Sequence, residues 1–125
     1  MEKKLAALRN DAMMADPALN FDKLIFFKRH TFTGNTYTDN KMNAAGGSIC
    51  VLSPVSPEGK VTSLVPELDG GIFTRFDLSF DATKVVFCHA KEGGLFRIYE
   101  IDVDPKTGRR VPGSALRQLT FSGQQ

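Results

Sequence analysis

Residues 76–120 read FDLSFDATKVVFCHAKEGGLFRIYEIDVDPKTGRRVPGSALRQLT, and this stretch decides the fold. Apolar runs rich in strand-forming residues alternate in it with short turns, the pattern of antiparallel strands joined by hairpins. Its core run at residues 84–88 (KVVFC) has a counterpart at residues 23–27 (KLIFF). The recurrence predicts that the chain is built from two copies of one small β unit.

Two further strands of this unit recur in the same order. Residues 49–52 (ICVL) match residues 98–101 (IYEI), and residues 61–65 (VTSLV) match residues 116–120 (LRQLT). Each unit has about the 40 to 50 residues of a propeller blade, and four antiparallel strands with turns between them are the blade pattern. We therefore predict an all-β chain of about two four-stranded antiparallel β-propeller blades. An ordinary antiparallel sheet or sandwich is the alternative.

We divide the chain into an N-terminal helix at residues 1–17, a first blade at 18–68 and a second blade at 69–125. The helix is predicted because Leu5 and Leu8 begin a single apolar stripe, and it ends before Asp16 and Pro17, since a residue before proline is disfavoured in a helix. A helix this short is marginal in water. Leu5 and Leu8 must therefore pack on the following sheet or on another part of a longer protein.

Composition excludes several classes of protein. The 125 residues suffice for one domain or part of one, and 16 basic against 14 acidic residues are too balanced for a nucleic-acid footprint. No apolar run is long enough for a membrane span, and the basic start has no apolar stretch behind it, so it is not an intact signal peptide. Cys50 and Cys88 lie in strand-like runs, where a buried free thiol is the expected state.

The motif DLSFDATKVVFCHAKEGGLFRIYEIDVD followed by LRQLTF resembles the β-propeller repeat of TolB and its relatives. The Ile98-Tyr99 strand and the closing Arg-Gln-Leu-Thr of residues 117–120 match that repeat well. The turn departs from it, with Phe80 where proline is common and Ala82 where glycine is common. The front of the chain, through residues 24–30 (LIFFKRH), is similar to the propeller-entry region of hydrazine synthase alpha subunit-like bacterial proteins.

These resemblances imply a non-enzymatic TolB-like module used for scaffolding or for protein or ligand binding within a larger bacterial protein, in the periplasm or secreted. The alternative is the propeller portion of a multidomain enzyme, hydrazine synthase alpha-like or a propeller hydrolase, whose catalytic residues lie outside this chain. The chain itself has no catalytic or haem-attachment motif, so we expect no enzyme activity and no cofactor in it. A closed propeller needs about four blades. The expected partner is therefore the rest of the polypeptide, or another copy joined through the sheet flanks.

Loops at one end of the predicted sheets form the candidate binding face, which can also take a protein partner, because loops on a rigid scaffold often carry function. The alternatives are that the long loop is a surface loop without a function, that the histidines are satisfied by local hydrogen bonds, and that Arg75 forms a salt bridge with Asp77 or Asp81. We expect no metal, since the histidine spacing matches no ligand motif and residues 102–113 fail the calcium-loop pattern. The candidate residues are Arg29, His30, Tyr37, Asp39, Asp69, Arg75 and His89.

Overall fold

A computed structural model describes residues 2–14, 21–29 and 45–121. Short runs rich in strand-forming residues form most of the strands, and segments containing glycine or proline separate them, except for the turn at residues 79–83 (SFDAT). A single 3₁₀ turn, Pro66–Leu68, precedes the fourth strand. The elements in chain order are α1 (Glu2–Met14), β1 (Leu24–Lys28), β2 (Ser48–Ser53), β3 (Lys60–Ser63), β4 (Ile72–Leu78), β5 (Lys84–Ala90), β6 (Arg97–Asp102) and β7 (Arg117–Gln118).

The strands form two antiparallel sheets, in the orders β1-β2-β3 and β4-β5-β6-β7. The predicted mostly-β chain with a short N-terminal helix is confirmed. The first unit differs from the prediction, because its sheet has three strands among the described residues where four were expected. The last strand is limited to Arg117–Gln118, which follows the hydrogen-bonded turn closed by Ser114.

The two sheets share one register. Phe26 pairs with Cys50 in the first sheet, and Phe87 pairs with Tyr99 in the second. The next step agrees, since Val51 pairs with Thr62 and Glu100 pairs with Arg117. The strand pairs of both sheets fit one alignment of the two units, in which residue 26 corresponds to residue 87, residue 51 to residue 100 and residue 62 to residue 117. The repeated pattern in the sequence thus corresponds to repeated strand pairing in the structure.

The sheets pack through opposite faces of the repeated unit. Ile49 and Val51 of the first sheet lie in the core with Val85 and Phe87 of the second. By the shared register, the counterpart of Ile49 is Ile98, which is 36% exposed on the outer side of the second sheet. The face of the first sheet that lies in the core therefore corresponds to the outward face of the second sheet, and the reverse also holds.

Aromatic rings fill the space between the sheets. Phe27 meets Phe76 edge to face, with ring centres 4.8 Å apart. Phe73 lies 5.8 Å from Phe87, which is stacked on Tyr99 at the same distance. Such contacts add to the burial of large apolar surfaces. The two sheets are thus joined by a continuous apolar core rather than by loops alone.

The helix makes less contact than predicted. Leu5 is 73% exposed and Leu8 is 67% exposed, so this stripe does not pack on the sheet, and its packing on another part of a longer protein stays a prediction. The apolar stripe is narrow, and the sheet core is already closed by its own side chains. No helix in the described part of the chain is long and apolar enough to cross a membrane.

Candidate functional site

The loops at one end of the two sheets come together, and we call this region the loop end. It holds Gly47 before β2, Gly71 before β4 and His89 near the end of β5. Arg29 follows β1 here, since Lys28 pairs with Ser48. The turn after β5 lies at the same end, because Ile72 pairs with Ala90. Segments far apart in sequence therefore meet at the site that the loop argument predicted.

Two glycine pairs join the sheets at the loop end. The amide of Gly47 donates to the Gly71 carbonyl at 2.9 Å, and the amide of Gly70 donates to the Gly47 carbonyl at 2.9 Å. A Cβ on Gly47 would lie 3.2 Å from the Gly71 oxygen, so the close approach favours glycine. Gly47 and Gly71 form a backbone bridge between the two sheets.

His89 is buried beneath this bridge. Its ring lies edge to face against Phe73 at 4.9 Å and against Tyr99 at 5.7 Å. Burial lowers the pKa of His89, although a hydrogen bond to the backbone of Leu68 opposes this effect. Nε2 has no hydrogen-bond partner among the described residues. The ring lies among residues of the second sheet and is 3% exposed, so it is not on the exposed loop surface with which the sequence grouped it.

The two candidate arginines are exposed. Arg29 donates from Nη2 to the carbonyl of Thr74 at 3.1 Å, and its guanidinium lies 5.0 Å from the centre of the Phe27 ring. It therefore ties β1 to β4 across the two sheets. Arg75 lies on β4, where the register with β5 shifts. The plainer prediction for Arg75, a salt bridge to Asp77 or Asp81, is wrong for the described residues, whose salt bridges do not include it.

Asp69 is also exposed, and it accepts a hydrogen bond from the Ser63 hydroxyl at 2.7 Å. Its amide closes the 3₁₀ turn by donating to Pro66. Three of the predicted residues, His30, Tyr37 and Asp39, lie outside the described residues. Among the predicted candidates, the exposed charges in the described part of the chain are therefore Arg29, Asp69 and Arg75.

Two features at the opposite end were not predicted. A cavity of about 300 Å³ lies between the sheets there and is lined mainly by apolar side chains, including Leu24, Ile25 and Leu78. Beside it, Phe80 is fully exposed at the tip of the turn between β4 and β5. The only sequence signal was Phe80 itself, at a turn position where the TolB-like repeat commonly has proline.

That turn is held by a carboxylate. Asp81 accepts hydrogen bonds from the Ser79 hydroxyl at 2.6 Å and from the Thr83 hydroxyl at 2.7 Å. These donors lower the pKa of Asp81 to about 2. Asp81 therefore orders this turn.

A charge cluster lies on the outer face of the second sheet. Arg117 donates to both carboxylate oxygens of Asp102, at 2.7 and 3.0 Å, and to Glu100 at 2.8 Å. The hydrogen bond with Asp102 raises the pKa of Arg117, and Arg117 in turn lowers the pKa of Asp102. Lys84 lies 3.7 Å from Glu100. The cluster spans β5, β6 and β7 and so braces three strands on one face.

No three His, Cys, Asp or Glu side chains in residues 2–14, 21–29 and 45–121 lie together as a metal site requires. Cys50 and Cys88 are free, as expected. In comparisons with known proteins, no protein-family model, no curated protein and no solved structure matches this chain.

Proposed function

We propose that this chain is a non-enzymatic β-propeller module of the TolB-like kind, which binds or scaffolds proteins within a larger bacterial protein of the periplasm or the extracellular space. The shared register of the two sheets carries the proposal. An unrelated pair of sheets has no reason to align at three successive strands. Repeated units with one register are typical of blades and other stacked arrays.

The mode of packing supports the same proposal. A contact between opposite faces of a repeated unit is head to tail, so it leaves one face of each kind unused at the two ends of the stack. The outer face of the second sheet carries Ile98, Val86 and Cys88 beside the charge cluster around Arg117. The outer face of the first sheet carries Leu24 and Phe26. These apolar residues stand where the next units of a stack pack.

Both outer faces are suited to partners of the same kind. Leu24 and Val61 are exposed on one face of the first sheet. The corresponding face of the second sheet, which includes Val85, lies in the core. The partner is therefore a further unit of the same polypeptide or another copy of this chain. The loop end, with Arg29, Asp69 and Arg75, is the surface on which this scaffold presents charge to a ligand or a protein.

Light scattering on the purified chain, combined with binding of a dye that fluoresces on apolar surfaces, tests the proposal. We expect either association that increases with concentration or a monomer that binds the dye. Ile98→Lys places a charge on the outer face of the second sheet and should reduce both signals. Val111→Lys is the matched control, since Val111 is about as exposed, at 37% against 36%, but lies outside the sheets.

A clean monomer that binds no dye would refute the proposal. Equal effects of Ile98→Lys and Val111→Lys would show that the outer sheet face is not the surface responsible. Circular dichroism on both variants verifies that each remains folded before the comparison is made.

A further inference from the structure

The free edge of β1 is the feature that the proposed function leaves unexplained. Its counterpart in the second sheet is β5, which pairs with β6 on one side and with β4 on the other. β1 pairs with β2 on one side, and on its other side no strand of the described residues lies against it. Among the described residues, the first sheet therefore has no strand at the position that β4 takes in the second.

The backbone groups at this edge can be assigned. The Ile49 carbonyl accepts a hydrogen bond from Leu64, so Ile49 directs its backbone toward β3. Its partner across the pair is Phe27, and in an antiparallel ladder such a residue directs its own amide and carbonyl away from β2. Ile25 lies two residues earlier and points the same way. Ile25 and Phe27 thus present their backbone polar groups to the free edge.

The second sheet shows what these groups bind. The counterparts of Ile25 and Phe27 are Val86 and Cys88, and β4 lies along that side of β5. Near the end of the pair, the amide of Ser79 donates to the Lys84 carbonyl at 2.9 Å. The backbone groups on this side of β5 therefore face an antiparallel neighbour, β4, whereas the equivalent groups of β1 have no described neighbour.

The two edge strands also differ in how they avoid pairing. The register of β4 with β5 shifts between Phe73 and Phe76, and exposed charges at Arg75 and Asp77 follow along the strand. Bulges and charges are the means by which edge strands resist pairing with other chains. β1 (LIFFK) keeps an unbroken register with β2 and carries four consecutive apolar residues. Its edge is regular and unprotected, as expected of a strand that receives a neighbour.

We infer that β1 is an acceptor for one extended segment, which adds to the sheet as an antiparallel fourth strand. Its side chains follow from β4, where Phe76 opposes Phe87 and Leu78 opposes Val85. The corresponding acceptor residues are Phe26 and Leu24. The partner is thus a peptide segment with two large apolar residues at alternate positions, bound through main-chain hydrogen bonds. This inference concerns the edge of the sheet and goes beyond the flank contacts of the proposed function.

A peptide of residues 71–79 (GIFTRFDLS), acetylated and amidated, is the probe, and amide hydrogen exchange on the full chain is the measurement. Saturating peptide should slow exchange of the Ile25 and Phe27 amides at least tenfold. The Phe26 amide, which points to β2, should change less than twofold and serves as an internal control. The matched control peptide is methylated on the nitrogen of its Asp77, which removes the donor facing the acceptor strand while keeping every side chain.

Protection of Ile25 and Phe27 by the probe but not by the methylated peptide establishes the acceptor edge. The inference is overturned if both amides stay in fast exchange at saturating peptide, or if both are already as slow as Phe26 without it. Equal protection by the two peptides also overturns it, because binding then does not use the edge. None of these outcomes depends on association through Ile98, so the inference and the proposed function fail separately.

Discussion

Substitution of Gly71 by alanine tests the packing at the loop end most directly. The new Cβ would lie 2.1 Å from Nε2 of His89 and 3.0 Å from the carbonyl oxygen of Ala90. Non-bonded heavy atoms normally stay about 3.5 Å apart, so the ring must move by more than an ångström. Phe73 and Tyr99 enclose it. We expect Gly71→Ala to lower the free energy of unfolding by about 2–3 kcal/mol, the upper range for overpacking.

Urea unfolding followed by circular dichroism measures this loss, and a double-mutant cycle with His89→Ala assigns its cause. Once the imidazole is removed, Gly71→Ala should cost less than about 1 kcal/mol, a coupling of the size found for residues in contact. Gly70→Ala is the control. Its site has open space but a φ of 87°, so alanine there costs about 1–2 kcal/mol through backbone strain.

The strain at Gly70 does not involve His89, so its cost should be the same with and without the imidazole. The reasoning is refuted if the cycle between Gly71 and His89 is additive to within about 0.5 kcal/mol. It is also refuted if Gly71→Ala leaves the urea midpoint unchanged.

Three further predictions follow from other described contacts. Asp81 has a pKa of about 2 in the folded chain against 3.8 when unperturbed, so its contribution to stability is complete above about pH 4 and is lost as pH falls toward 2. A carboxyl NMR titration should show the low midpoint, and a midpoint near 3.8 would contradict the turn geometry. Burial lowers the pKa of His89 below the 6.5 of the unfolded chain, so stability should fall as pH drops below 6.5. The urea midpoints at pH 7.5 and pH 5.5 should differ more in the unsubstituted chain than in His89→Ala. Equal differences in the two proteins would exclude this linkage. Ile49 and Ile98 occupy equivalent register positions but are 0% and 36% exposed. In the monomer, Ile49→Ala should lower the free energy of unfolding by about 2–5 kcal/mol, and Ile98→Ala by about 1 kcal/mol or less. Equal losses in urea unfolding would show that the two sheet faces do not differ in burial.

The repeated unit was accessible from sequence because its signals are local. Strand-forming runs, turn residues and the order of the three matches depend on neighbours only a few residues away. The match of Phe26 with Phe87 concerned sequence segments, and the observed strand pairs are consistent with it. Local preference and strand pairing therefore agree at these positions.

The site depended on contacts that no local pattern contains. His89 was grouped with exposed loop residues, yet the ring lies between Phe73 and Tyr99 under Gly71. Nothing in a histidine near a strand end distinguishes a buried ring from a solvated one. The Gly47–Gly71 bridge was missed for the same reason, because a pair of adjacent glycines predicts a turn and does not name a partner.

The sequence by itself determined most of the strands and their order along the chain, because strand-forming runs and turn residues are local signals. Tertiary structure alone decided which face of the first unit lies inside. Both faces of the first unit carry apolar side chains, so the pattern of β2 alone does not say that Ile49 lies inside, whereas Ile98 of the second unit shares its face with Glu100 and Asp102. Stacking head to tail buries Ile49, at 0% exposure, and leaves Ile98 on the outside, at 36%.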